Sequence, residues 1–410
     1  MRLLRRSDFR SFWLGESISL LGDQITYIAL PLAAVLVLDA GPAEMGYLGA
    51  AALLPHLLLS LPAGVRLDRV ARRRRVLIAC DLARAALLVS VPIAYWLDAL
   101  TIGQLYSVAF LTGCFAVFFN LSYPTVFVSV TPREQYLEGN SLVHGSRSFS
   151  YVAGPSVGGV LVQAFSAPAA ILADACSYLA SAFFLAKVRS PEAPVEEQDG
   201  TLRAKVGEGL RFIGRNPIFR PTLTAVATLN FFNYAFSALF VLYATRFLGI
   251  GAGTLGVVLG CGAIGGIVGA LVAGRVARAF GVGRAFLLGC VLFPAPLVLI
   301  PLADGPRPVI IAMLLAAEFF SGLGLMILDI NAGSIMFALT PDRLRSRATG
   351  AFSFVNWGIR PIGSLVGGVV GAWIGVRTTL WITSIGAVAG ALWLLPSPVP
   401  ALRELPEEAA

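Results

Sequence analysis

The chain has 410 residues, of which 57% are hydrophobic and only 13% are charged. Soluble domains carry about 25% charged residues, so this composition excludes an ordinary soluble protein and predicts one that crosses a membrane repeatedly. The net charge of +8 is dispersed among loops, so we expect no nucleic-acid partner. The five cysteines lie singly in apolar runs without ligand spacing, so neither a disulfide framework, a metal site nor a cofactor is expected.

Twelve apolar runs are long enough to cross the hydrocarbon core, which requires about 20 helical residues. We predict membrane-spanning helices at approximately 11–38, 45–65, 76–98, 103–128, 141–165, 168–188, 219–246, 253–274, 284–303, 308–336, 348–373 and 376–395. The first is expected to be a retained span and not a cleaved signal peptide. The sequence therefore predicts an all-α membrane protein with a six-helix half at 1–188, a cytoplasmic linker at 189–218, a second six-helix half at 219–396 and a cytoplasmic tail at 397–410.

Positive charge predicts the orientation of these spans. Twenty-five of the 31 Lys and Arg residues fall on one side, six of them in the loop Gly64–Arg75. The opposite loops hold only Arg246, Arg307 and Arg377. Because cytoplasmic loops carry the excess of Lys and Arg, both termini are predicted to be cytoplasmic.

The two halves echo each other at a separation of about 210 residues, at equivalent places in the topology. The matched features are Gly64 with Gly274, Thr131-Pro132 with Thr340-Pro341, and Gly154–Gly159 with Gly363–Gly368. Tandem six-span repeats are typical of transporters whose halves move about a central site.

These motifs resemble those of the major facilitator superfamily. The loop Gly64–Arg75 is similar to the signature between its second and third spans, and Gly154-Pro155-x-x-Gly158-Gly159 is similar to the motif of its drug:proton antiporter branch. The likeness is greatest to bacterial exporters of the enterobactin-efflux and macrolide-efflux type. It implies the major facilitator fold, a monomer in a bacterial-type cytoplasmic membrane, and alternating access. Two departures are Arg66 inside the loop motif and Ser150 where the span-five motif has a glycine.

The resemblance also implies a conformational latch in the loop Gly64–Arg75, where the aspartate caps a helix of the opposite half and arginines pair with nearby acids. Asp81 is a candidate partner for Arg72 or Arg73, or for Arg84 three residues later. The expected latch residues are Gly64, Asp68, Arg69, Arg72 and Asp81. For Arg72–Arg75 we favour the alternative, in which these side chains only anchor the topology.

The second motif consists of Gly154, Pro155, Gly158 and Gly159 on or beside one helical face. Small residues at such spacing let helices approach closely. The pattern fits either a sliding contact between the halves or static packing.

Charged residues within spans are costly and usually functional. Span one carries Asp23, and span ten carries Glu318 and Asp329, which lie about 20° apart around the helix and about 16 Å apart along it. Arg360 in span eleven is the candidate counter-charge. We hypothesise that Asp23, with Glu318 or Asp329, exchanges a proton for substrate while Arg360 modulates the exchange.

Amide and aromatic residues at mid-depth are candidates for an amphipathic substrate cavity, since such cavities are mostly apolar with a few polar groups. They are Tyr27, Asn120, Tyr123, Asn230, Asn233, Tyr234 and Trp357. For neighbouring phenylalanines such as Phe231, simple helix packing is an equally good interpretation.

The predicted function is proton-coupled export of drugs or amphipathic metabolites, of siderophore or macrolide type. The expected partners are a small-molecule substrate, protons and membrane lipid. The chain has no G-x-x-x-x-G-K-[ST] motif, so ATP-driven transport is not predicted. An importer or uniporter of a small metabolite is the alternative. An intramembrane enzyme or a receptor is a more distant alternative. An enzyme would show a nucleophile or a metal cluster, and a receptor would show a sizeable domain outside the membrane, and the sequence shows neither feature.

Overall fold

A computed structural model describes residues 3–67, 70, 72–189, 207 and 211–404. Every regular element within these ranges is helical. The twelve principal helices are α1 (Ser7–Leu36), α2 (Pro42–Leu67), α3 (Arg73–Trp96), α4 (Ile102–Val130), α5 (Tyr136–Ala164), α6 (Ala167–Lys187), α7 (Phe219–Leu242), α8 (Ala252–Phe280), α9 (Val282–Leu302), α10 (Arg307–Leu339), α11 (Asp342–Ile374) and α12 (Val376–Ala389).

The predicted all-α membrane fold is confirmed. Eight of the helices are long and apolar enough to cross a membrane, namely α1, α3, α4, α6, α7, α8, α9 and α10. The other four, α2, α5, α11 and α12, occupy the remaining predicted spans. The predicted and observed limits differ by up to six residues, for example at α11, which begins at Asp342 instead of 348.

Local sequence explains where several helices begin or break. Thr101 and Ser166 cap α4 and α6, because their side-chain oxygens accept hydrogen bonds from the backbone N–H three residues later, at 3.3 and 3.2 Å. The 3-10 turn Ala295–Val298 interrupts α9, where Pro294 and Pro296 cannot donate backbone hydrogen bonds. Gly375, with φ 89°, separates α11 from α12 in a conformation that favours glycine.

The chain divides into two compact units. Unit 1 comprises Met1–Glu44, Ala51–Gln198 and Ile250–Gly260, and unit 2 comprises Met45–Ala50, Asp199–Gly249 and Cys261–Ala410. Large buried side chains of α1, α3 and α4 form a core in unit 1, and those of α7, α9 and α10 form one in unit 2. The division into halves at 189–218 stays a prediction, since most of that linker lies outside the described residues.

Candidate transport site

A chain of polar side chains connects three helices inside unit 1. Tyr178 on α6 donates its hydroxyl proton to Asp23 Oδ1 on α1. Arg84 on α3 donates from Nη1 to Tyr178 Oη at 3.3 Å, and from Nη2 to Asp81 Oδ1 at 2.5 Å. Asp81 and Arg84 are both buried, whereas Asp23 is partly exposed. The network therefore begins at an accessible acid and ends at a buried ion pair.

Aromatic rings enclose the guanidinium of Arg84. Its Cζ lies 4.6 Å from the ring centroid of Phe119 and 4.2 Å from that of Tyr178. Cation–π contacts of this kind stabilise a cation that has little water around it. Arg84 is thus held by one carboxylate, one hydroxyl and two rings, which fixes its position between α3, α4 and α6.

A second buried acid, Asp174, lies one helical turn before Tyr178 on α6. Its Oδ1 accepts a hydrogen bond from Ser177 Oγ at 2.9 Å. Its Oδ2 has no hydrogen-bond partner among the described residues. Thr26 Oγ1 of α1 lies close to the Asp174 carboxylate and is likewise without a well-formed hydrogen bond. Asp81 Oδ2 and the neighbouring Ser181 Oγ are unpartnered in the same way.

Close packing of α1 on α6 brings these groups together. A methyl group at Gly22 would overlap both Ser177 Oγ and Asp174 Oδ1. A glycine at this position is therefore what allows the α6 side chains to lie against the α1 backbone. Glu16, nearly two turns earlier on α1, is also buried, and its charged neighbours include Asp23 and Arg147.

The predicted glycine motif lies at two close helix contacts within unit 1. Gly154 and Gly158 face α1, where added methyl groups would overlap Gln24 and Ile28. Gly159 faces Ala252 at the start of α8. Pro155 is buried within α5 and presents its carbonyl oxygen to α8. Both contacts require small residues, as the sequence pattern predicts, but whether the helices slide there stays a prediction.

In unit 2, Arg360 on α11 is enclosed by aromatic rings. Its Cζ lies 4.0 Å from the ring centroid of Trp357 and 5.1 Å from that of Tyr234, and Nη2 donates to Asn356 Oδ1 at 3.3 Å. Arg360 also interacts favourably with the charge of Asp329, an exposed residue on α10. The structure thus brings Arg360, Asp329, Tyr234 and Trp357 together.

Glu318, the other acid on α10, is placed differently. It is half-buried, and its carboxylate lies over Gly262 of α8, where an added methyl group would be 3.1 Å from Oε2. Cys261 lies beside this carboxylate. Glu318 therefore belongs to the contact between α8 and α10.

The predicted latch is only partly described. Asp68 and Arg69 lie outside the described residues. Gly64 is half-buried near the end of α2, with nothing within 4 Å of an added methyl group, and Arg72 is exposed immediately before α3. Of the candidate partners for Asp81, Arg84 forms an ion pair with it.

The predicted cavity residues occur in both units. In unit 1, Tyr27 and Asn120 are exposed, whereas Tyr123 is half-buried and its ring centroid lies 5.1 Å from that of Phe12. In unit 2, Asn230 donates to the carbonyl of Val226 on its own helix at 2.9 Å. The half-buried or exposed members there are Asn230, Asn233, Tyr234 and Trp357. A common cavity stays a prediction.

Sequence reasoning missed Tyr178 and Asp174 as site residues and treated Arg84 only as one alternative partner of Asp81. The signal that could have found them is their spacing on α6, since Asp174 and Tyr178 are four residues apart and share a face. Polar residues on one face of a membrane helix indicate a buried polar contact.

Known proteins share both sequence and fold with this chain. A family model described as Major Facilitator Superfamily matches residues 12–309 and 246–410. The chain belongs to this superfamily. It is 24% identical over 378 residues to the uncharacterized MFS-type transporter YfiS of Bacillus subtilis (strain 168), covering 88% of this chain and 86% of that protein. It is 25% identical over 402 residues to the multidrug efflux pump Tap of Mycolicibacterium fortuitum, covering 94% of this chain and 93% of that protein.

Solved structures confirm the superfamily fold. The inward-facing bacterial homologue of the iron transporter ferroportin matches with a TM-score of 0.77 at 15% identity, over 96% of this chain and 98% of that one. The nucleoside transporter NupG matches with a TM-score of 0.74 at 12% identity, over 97% of this chain and 99% of that one. The protein is therefore a multi-pass membrane transporter of this superfamily, whose members bind small-molecule substrates.

Proposed function

We propose that this superfamily transporter exports drugs or amphipathic small metabolites, of siderophore or macrolide type, in exchange for protons by alternating access. The observation that carries the proposal is the polar chain from Asp23 through Tyr178 and Arg84 to Asp81 within membrane-spanning helices. The likeness to a multidrug efflux pump over nearly the whole chain supports the export direction.

The polar chain provides a physical link between proton binding and helix contacts. When Asp23 is ionised, Tyr178 donates a charge-assisted hydrogen bond to it, and Arg84 donates to Tyr178 in turn. Hydrogen bonds to an ionised group are roughly twice as strong as neutral ones. Protonation of Asp23 removes that charge and weakens the link between α1 and α6. The contact between these helices then depends on whether Asp23 holds a proton.

Unit 2 supplies the second set of groups. We place Asp329 and Glu318 as further candidate proton carriers, with Arg360 modulating Asp329 through its charge. The rings of Trp357 and Tyr234, together with the polar Asn233, offer the mixed apolar and polar surface that suits amphipathic organic molecules. Tyr27, Asn120 and Tyr123 offer a similar surface in unit 1.

The membrane arrangement is part of the proposal. The excess of Lys and Arg on one side favours both termini in the cytoplasm of a bacterial cell. The loop Gly64–Arg75 then faces the cytoplasm, where Asp68 is proposed to hold one conformation of the transporter. Asp68 itself lies outside the described residues.

Transport by purified protein in proteoliposomes tests the function. A panel of amphipathic compounds is assayed with an imposed pH gradient, which is then collapsed with a protonophore. We expect uphill export that stops on collapse, and loss of uphill export in Asp23→Asn but not in Asp98→Asn, an exposed acid after α3. Export that ignores the collapse contradicts proton coupling, and accumulation in the opposite direction favours the importer.

A further inference from the structure

Asp174 is a fully buried acid of unit 1 outside the set that we assign to proton exchange. Its exposed fraction is 0%. One carboxylate oxygen is bound by Ser177, and the other has no hydrogen-bond partner among the described residues. A buried oxygen without a hydrogen bond raises the free energy of the folded protein, and the penalty is larger when that oxygen is charged. A bound proton would remove that charge.

The neighbours of Asp174 leave an excess of negative charge. From α1 it faces Asp23 and the hydroxyl of Thr26, and from α3 it faces Arg84, whose ion-pair partner is Asp81. Its own helix contributes the hydroxyls of Ser177 and Tyr178. Glu16, earlier on α1, interacts with Arg147 of α5 and also with the charges of Asp23 and Arg84.

The guanidinium of Arg84 is thus shared by several carboxylates, among them those of Asp23, Asp81 and Asp174. Buried charges are normally paired, because the cost of removing an ion from water is otherwise not offset. Arg84 is already committed to Asp81 and to Tyr178. Asp174 packs against α1 at Gly22, the residue next to Asp23, and the charges of the two acids interact. Neighbouring carboxylates in one site favour the uptake of a shared proton.

We propose that Asp174 and Asp23 form a carboxylate pair that binds the coupling proton, with Tyr178 and Arg84 as its positioning residues. The proposal rests on the proposed function and adds Asp174 to it. A proton from water on the acidic side forms an O–H bond with a carboxylate oxygen of the pair. The same bond breaks when the proton returns to water on the other side, so no further reactant is required.

The chemistry of the site favours a proton over a metal cation. The described residues contain no group of three His, Cys, Asp or Glu side chains that could hold a metal ion. Hard cations such as calcium require six or more oxygen ligands. Here the unpartnered oxygens are four single atoms, one each on Asp174, Thr26, Asp81 and Ser181, which is fewer than such a cation requires. A proton needs only one of them.

Infrared difference spectroscopy of the full-length protein in detergent tests the pair directly. A pH step is applied without substrate, and the band of protonated carboxyl groups is followed in the wild type, Asp23→Asn, Asp174→Asn and the double variant. We expect each single variant to lose the band of the pair, and the double variant to lose no more than either single one. Asp98→Asn is the matched control and should retain the whole band. The proposal is overturned if the carboxyl band is unchanged in Asp174→Asn. It is also overturned if the double variant loses as much of the band as the two single variants lose together.

Transport separates this proposal from the proposed function. If the wild type shows uphill, proton-driven export and Asp174→Asn keeps it, Asp174 is not part of the coupling site, although the proposed function stands. If the wild type shows no proton coupling, the proposed function fails and the pair's coupling role fails with it. A band that responds to sodium and not to pH also overturns the proposal.

Tyr178→Phe provides a second variant in case Asp174→Asn does not fold. It keeps the ring against Arg84 and removes only the hydroxyl that donates to Asp23. We expect the carboxyl band to remain, with its pH midpoint shifted, because the pair has lost a donor. An unchanged midpoint contradicts the positioning role. Phe is a conservative replacement, so a structural role alone predicts no shift.

Discussion

Arg84→Met removes the only guanidinium in the polar chain of unit 1 while keeping an apolar side chain of similar length. Arg84 is 4% exposed, and Asp81, with which it forms an ion pair at 2.5 Å, is 0% exposed. Breaking a buried pair by removing one partner costs about 3–5 kcal/mol, because the other charge is left uncompensated. We therefore expect the variant to lose about 3–5 kcal/mol of folding free energy.

The structure predicts that the two single variants are unequal. Asp81→Asn leaves Arg84 near the charge of Asp23 and still bound to Tyr178, so its charge remains compensated. Arg84→Met leaves Asp81 without the cation with which it forms its ion pair. The double variant Arg84→Met/Asp81→Asn should recover most of the loss, because replacing a whole buried pair by neutral groups is often nearly neutral.

Thermal unfolding of the purified variants in one detergent measures these differences. Arg75→Met is the matched control, since Arg75 lies exposed on the same helix and its substitution should change stability by no more than about 0.5 kcal/mol. The reasoning is refuted if Asp81→Asn is less stable than Arg84→Met, or if the double variant loses the sum of the two single losses.

Two further substitutions test packing in each unit. Gly22→Ala should destabilise the protein by about 1–3 kcal/mol, because the added methyl group overlaps side chains of α6. Gly145→Ala should instead stabilise it by about 0.5–1 kcal/mol, because the methyl group added there has no atom within 4 Å and alanine favours the helix over glycine. Thermal unfolding measures both changes. Equal effects would contradict the close α1–α6 contact. Trp357→Leu should lower the free energy of unfolding by about 0.5–2 kcal/mol more than Trp373→Leu does, because it removes an aromatic ring from Arg360. Trp373 is the control because it is 82% exposed. Unfolding curves that coincide would show that this ring contributes nothing to stability.

The helices could be predicted from the sequence because apolar length is the dominant signal in a membrane chain. Their ends were less predictable. The apolar pattern of span eleven starts at 348, yet α11 begins at Asp342, because helical hydrogen bonding continues into the charged segment before the apolar run. The break in α9 depends on Pro294 and Pro296, which a hydropathy pattern alone does not detect.

The pairing of site residues could be predicted only where it is local. Asp81 and Arg84 are three residues apart on one helix, and their pairing was among the alternatives drawn from the sequence. Tyr178 and Asp23 are 155 residues apart, and their contact depends on how α1 and α6 are rotated against each other. That rotation is set by packing at positions such as Gly22, which the spacing of polar residues does not reveal.

Proton release on substrate binding tests the central claim most directly. Purified wild-type protein and Asp23→Asn are mixed with a transported compound in weakly buffered detergent solution, and the pH change is recorded. If substrate and proton exclude each other at Asp23, the wild type releases protons on binding and Asp23→Asn releases fewer or none, while Asp98→Asn behaves as the wild type. Binding without proton release in the wild type, or undiminished release in Asp23→Asn, would contradict the account.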